Sequence, residues 1–128
     1  MRLSKEFSMW FKVPNDPDKA EFKIKHLPPG DLAKIEAATM DLQIEYQDGS
    51  DNKQKAEVKP IAGKEVEFKL SVLDWKNVFD EAGEPLGCNT PNKMKVLRGV
   101  ENISDFITEC RSKLEKEFKK SQKDQEKN

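Results

Sequence analysis

The chain is poor in the residues that usually carry chemistry. It has one histidine, His26, and two cysteines, Cys88 and Cys110, far apart in sequence. Tetrahedral zinc sites need closely spaced Cys and His, and that spacing is missing. A nucleophilic triad needs a nucleophile, a base and a group that orients the base. No motif around His26 supplies them, so neither an enzyme nor a metal or cofactor site is expected. The six glycines are scattered, with no GxGxxG and no GxxxxGK[ST] to cradle a phosphate. Asp48-Gly49-Ser50-Asp51-Asn52 resembles a calcium loop only faintly. Lys53 stands where the sixth-position glycine belongs, and Lys59 where the bidentate Glu belongs.

Charge of one sign is also missing. The net charge is -1, from 23 basic and 24 acidic residues. Nucleic-acid binding rests on clustered Lys and Arg. Here Lys and Glu alternate, and arginine occurs only at Arg2, Arg98 and Arg111, so no nucleic-acid partner is expected. No apolar run approaches the ~20 residues of a membrane span. The opening Met1-Arg2-Leu3-Ser4-Lys5-Glu6 is too short and too charged for a signal peptide. A reducing compartment, the cytoplasm, is the simpler reading, although a disulfide between the two cysteines stays open.

A chain of 128 residues suits one domain. Its core must be modest, because hydrophobic residues make up 35%, charged residues 37%, and the mean hydropathy is -0.86. The expected organisation is a single α+β domain over 1–118 and a disordered charged tail over 119–128, which holds no apolar residue.

Phe7 to Val13 is apolar and aromatic, as strands are. A dense turn signal follows at Pro14-Asn15-Asp16-Pro17-Asp18. Ala20, Phe22, Ile24 and His26 then alternate with Lys23 and Lys25, so an N-terminal β-hairpin, part of a small antiparallel sheet, is expected over roughly 7–27. Asp31 can cap a helix over about 31–40, with Leu32 and Ile35 at helical spacing. Met40 to Tyr46 fits a strand or a continuation of that helix. Residues 47–55 read as a loop, and Pro60 and Gly63 bracket another irregular stretch. Over 64–79, Val66, Phe68, Leu70 and Val72 fit a strand, whereas Phe68, Val72, Trp75 and Phe79 fit a helical stripe. A turn follows at 80–85. Thr90 with Pro91 is the expected start of a short helix that Gly99 ends. Asn102 then caps a C-terminal amphipathic helix with Ile103, Phe106, Ile107, Cys110, Leu114 and Phe118 on one stripe, fraying near Glu117.

Trp75, Val78, Asp80, Gly83, Pro85, Asn92 and Lys93 form the most distinctive pattern. It resembles the phage tail assembly chaperones of long-tailed phages. Phe11, Val13, Pro14, Phe22, Ile24 and Leu27 are similar to the opening hairpin of that family, and Asn77 stands where a glycine is expected. The resemblance touches about 7–117, and residues 40–62 have no counterpart. It implies that 64–75 are helical. It also implies a non-enzymatic role in the host cytoplasm: binding the tape-measure protein, keeping it soluble during tail assembly, and contacting the tail-tube protein as a second partner. Self-association stays open. The alternative is another phage tail structural or tail-completion protein without enzymatic activity.

Candidate protein-binding residues are Met9, Trp10 and Phe11, then Trp75 and Phe79, then Met94. A strand hides alternate side chains on one face only, so one of the first three should point outward. The competing reading for each is core packing, where large aromatics usually go.

Overall fold

A computed structural model describes the backbone of residues 1, 5–48 and 52–126, and the side chains of 1, 5–39 and 62–123. The described residues form an α+β fold with a three-stranded antiparallel sheet and four helices. In chain order these are β1 (Ser8–Lys12), β2 (Glu21–Lys25), α1 (Pro29–Asp48), α2 (Asn52–Ser71), β3 (Val72–Lys76), α3 (Thr90–Gly99) and α4 (Ile103–Glu126). They fall into two compact units, one of residues 1–26 with 71–128, the other of residues 27–70.

The first unit is built on the sheet, with strand order β1-β2-β3. The expected hairpin is present. Asp16 shapes its turn: a carboxylate oxygen accepts from the Ala20 N–H at 2.8 Å, and its carbonyl accepts from the Lys19 N–H at 3.1 Å. Asn15 and Lys19 take up left-handed backbone there, with φ of 61° and 56°. The period of two then sorts the side chains. Met9 lies opposite Ile24 and Phe11 opposite Phe22. Phe22 in turn lies opposite Trp75, and Ile24 opposite Val72. These residues share one face, which α4 covers by packing on β1 and β2. Ile103, Ile107, Cys110 and Leu114 form the buried stripe of α4, and Phe22, Ile24, Val72 and Trp75 are its buried counterpart. Phe22 sits at the centre, meeting Trp75 edge to face at 5.9 Å and Phe106 at 6.0 Å.

His26 fastens the far end of α4. Its Nδ1 lies 2.6 Å from a Glu115 carboxylate oxygen, and its ring stacks on Phe118 at 3.8 Å and 10°. Phe7 meets the same phenyl ring edge-on at 5.6 Å. The histidine is thus occupied with packing. Residues 119–126, expected to be disordered, continue α4 as helix. Extending an existing helix costs far less than nucleating one. Lys, Gln and Glu are good helix formers, and Phe118 anchors the turn they grow from.

The second unit holds α1 and α2. The helix expected over 31–40 runs on to Asp48, so Met40 to Tyr46 are helical. Helical residues also replace most of the loop expected over 47–55, of which 49–51 lie outside the described residues. Pro60 and Gly63, expected to be irregular, stand inside α2. Gly63 has a tertiary reason: a Cβ there would come within 2.8 Å of Thr39 Oγ1. The two helices therefore approach more closely than any larger residue would permit. Thr39 directs that hydroxyl to the Ile35 carbonyl at 3.1 Å.

Residues 64–75 are not one helix, as the resemblance implied. The helix stops at Ser71 and β3 begins at Val72. Val66, Phe68 and Leu70 of the strand alternative lie in α2, whereas Val72 and Trp75 of the helical alternative lie in β3, where pairing with β2 holds them extended. Val72 and Trp75 enter the sheet on the apolar face, with a register shift between Lys23 and Ile24 that leaves Leu73 as the extra residue.

Phe22→Ala should cost about 3–5 kcal/mol, the usual cost of emptying a buried phenyl site, read from urea unfolding. His26→Ala should leave the sheet intact but speed amide hydrogen exchange in α4 beyond Glu115. Unchanged exchange there would show that the imidazole does not hold this end.

Candidate functional site

Beyond β3 the chain makes a small, heavily cross-bonded loop. Asn77 turns it at φ 59° and donates a side-chain N–H to the Lys19 carbonyl at 3.0 Å. Asp80 organises the tip. One carboxylate oxygen accepts from the Ala82 and Glu84 N–H groups, each at 2.9 Å, as Asx turns do. Gly83 takes φ 83°, which a side chain would resist. Phe79 pairs with Pro85, and the Leu86 N–H reaches the Val78 carbonyl at 2.9 Å. Trp75 closes the loop from beneath by donating its Nε1–H to the Leu86 carbonyl at 2.6 Å.

The returning strand leads into α3. Asn89 caps that helix by accepting the Asn92 N–H at 3.0 Å, so Thr90, expected as the cap, is instead the first helical residue, and the helix starts one step earlier than the sequence suggests. The Asn92 side chain reaches back to the Gly87 carbonyl at 2.8 Å. Loop and helix are thus locked together.

Between them lies an open groove of about 880 Å³. Val78, Phe79, Leu86, Met94, Val96 and Val100 give it an apolar lining. Val96 is buried at its base, whereas Phe79 and Val100 are 42% and 48% exposed. Its charged side chains are Asp80 and Glu81 on the loop and Lys95 and Arg98 on the helix. Large apolar side chains held open to solvent by a rigid frame mark surfaces that bind other molecules.

The structure brings two of the sequence candidates, Phe79 and Met94, into this groove. Trp75 is 7% exposed and belongs to the core, so it serves the groove through its hydrogen bond to Leu86. Met9, Trp10 and Phe11 lie elsewhere, on β1. Met9 and Phe11 share the covered face, and Trp10 is the residue that points the other way, with Lys76 Nζ 4.4 Å from its ring. Leu86, Val96 and Val100 were missed. Their only sequence signal is an apolar residue on either side of turn-rich segments, which does not show that the segments meet.

Covalent chemistry has little to work with here. Both thiols are free. Burial pushes Cys88 up, opposed by Lys93 and helped by Asp74. Burial also pushes Cys110 up to about 12, against Lys113 and with Glu109. Each thiol therefore holds its proton at neutral pH, whereas thiolate is the reactive form.

At pH 8 a thiol reagent should modify the half-buried Cys88 before the buried Cys110. Cys110 binds its proton more tightly folded than unfolded. Its contribution to stability is therefore complete below the ordinary thiol value of 9.0 and is lost as pH rises through about 12. Urea midpoints of the wild type should fall more steeply across that window than those of Cys110→Ala.

In comparisons with known proteins, no family model, no curated protein and no solved structure matches the chain.

Proposed function

We infer that this protein is a tail assembly chaperone of a long-tailed phage or prophage. It holds the tape-measure protein in the host cytoplasm and keeps it soluble until the tail tube forms around it. The observation that carries this reading is the groove between the 78–86 loop and α3, with Phe79 and Val100 exposed at its mouth. The resemblance across Trp75 to Lys93 supports it, because that segment supplies the loop wall of the groove and the start of α3.

The proposed occupant is an amphipathic helix of the tape-measure protein. A long chain of such helices exposes apolar stripes that aggregate when bare, and laying a stripe into an apolar groove removes it from water. Opposed walls suit such a helix: Asp80 and Glu81 on one side meet its basic residues, Lys95 and Arg98 on the other its acidic ones. These charges set orientation and association rate more than affinity. Binding alone is required, so the scarcity of reactive groups agrees with a non-enzymatic role. The tail-tube protein would be a second partner, engaged as the helix is handed over. Among the described residues no helix is long and apolar enough to cross a membrane, and the role requires none.

Co-expression with the tape-measure protein should move that protein from the pellet to the soluble fraction and yield a complex on affinity capture. Phe79→Asp and Met94→Asp should abolish both effects. Phe79→Asp should change thermal stability little, since exposed positions contribute within about 0.5 kcal/mol. A tape-measure protein whose solubility is indifferent to the wild-type chain would refute the reading. A tail-completion subunit would instead bind assembled tubes and leave that solubility unchanged.

A further inference from the structure

The two edges of the sheet are treated differently. On β3 the outer edge is blunted. The Trp75 N–H is taken by the Asp74 carboxylate at 2.8 Å, the Leu73 carbonyl receives the Cys88 thiol at 3.8 Å, and a bulge interrupts the strand. Such devices are how proteins keep edges from pairing. β1 has no bulge and no proline, and its one charged residue is Lys12 at the end of the strand.

The backbone phase of β1 follows from its neighbours. The His26 N–H bonds to the Phe7 carbonyl at 2.7 Å, and the Val13 N–H to the Ala20 carbonyl at 2.9 Å. Alternate pairs of an antiparallel ladder exchange hydrogen bonds, so Phe7, Met9, Phe11 and Val13 turn their backbone groups toward β2. Ser8, Trp10 and Lys12 turn theirs outward, where no strand follows. Three residues thus offer donor and acceptor pairs in a row.

We propose that this edge pairs with the same edge of a second copy, antiparallel about Trp10, to form a homodimer with one continuous sheet. The register that engages all of β1 sets Trp10 against Trp10 of the second copy, and Ser8 against Lys12. Each of these is an outward-facing residue, so every pair can exchange both backbone bonds. A slip by one residue would put Met9 and Phe11 on the wrong face, so the period of two forbids it.

The side chains suit the same pairing. Met9 meets Phe11 of the second copy on the face that α4 covers, and Phe7 meets Val13. The half-buried Met9 and Phe11 thereby gain apolar neighbours on their open side. On the other face, Lys12 stands opposite Ser8 and diagonal to Glu6 of the second copy. Lys12 and Glu6 are both exposed in the single chain, and diagonal neighbours of opposite charge attract across a ladder. The two-fold axis stands perpendicular to the sheet. Both copies therefore present α4 on the same side of the joined sheet. The dimer is independent of the groove and of the partner assigned to it.

Sedimentation equilibrium of the full chain tests this. The wild type should pass from monomer to dimer with rising concentration. Ser8→Pro removes an N–H that the single chain does not use, and proline is tolerated at such edge positions. It should keep the far-ultraviolet circular dichroism of the wild type and weaken dimerisation at least about tenfold, the loss expected when an edge donor is replaced. Lys12→Glu and Glu6→Lys should each weaken it, and the double exchange should restore it. The double exchange retains every backbone group, so it decides the matter even if Ser8→Pro unfolds. A wild type that stays monomeric to millimolar concentration would overturn the proposal. So would a folded Ser8→Pro that dimerises like the wild type, or a double exchange no better than its single variants.

Discussion

Everything in the first unit depends on one act of burial: the apolar face of a three-stranded sheet against the stripe of α4. A sheet that is apolar on one face must bury that face against another element. Here Phe22 occupies the middle of the middle strand, between Trp75 on β3 and Phe106 on α4. That placement links all three strands to the helix. It also explains how a chain with so much charge can fold, since a few large residues carry most of the buried apolar surface.

The same contact positions the candidate site. Trp75 is held by Phe22 on one side, and its indole N–H reaches out of the core to the Leu86 carbonyl. A buried tryptophan needs such a partner, and here the partner is the returning strand of the loop. Asp80 and Asn92 complete the frame with bonds to backbone. Phe79 and Val100 can therefore remain exposed without the groove collapsing. A surface ordered before binding loses less freedom when a partner arrives.

His26 shows how a reactive residue type can be spent on structure. Placed between a carboxylate and a phenyl ring, it joins the end of β2 to the second half of α4. The two cysteines are treated alike, one half-buried under a backbone carbonyl and the other in the core. The two sheet edges differ for a related reason. On β3 the groups that follow in the chain return to cover the strand, whereas among the described residues no strand pairs with the outer edge of β1.

The sequence by itself determined what local periodicity and turn chemistry can determine. It was enough for the α+β class, for the hairpin with its turn at Asp16, for the ends of α3 near Asn89 and Gly99, and for the α4 stripe from Ile103 to Phe118. Each is written in residues a few positions apart. The tertiary structure decided what depends on distant partners. Val72 fits a helix or a strand, and Trp75 a helical stripe, until Ile24 and Phe22 lie opposite them. Gly63 read as a helix breaker until Thr39 passed beside it. The tail beyond Lys119 lacked apolar residues, and its helix grew from a turn that His26 and Phe118 fix. Leu86 and Val100 had no pattern of their own. They line the groove because Trp75, Asp80 and Asn92 bend separate segments together, and hydrogen bonds between remote backbone and side-chain groups leave no period in a sequence.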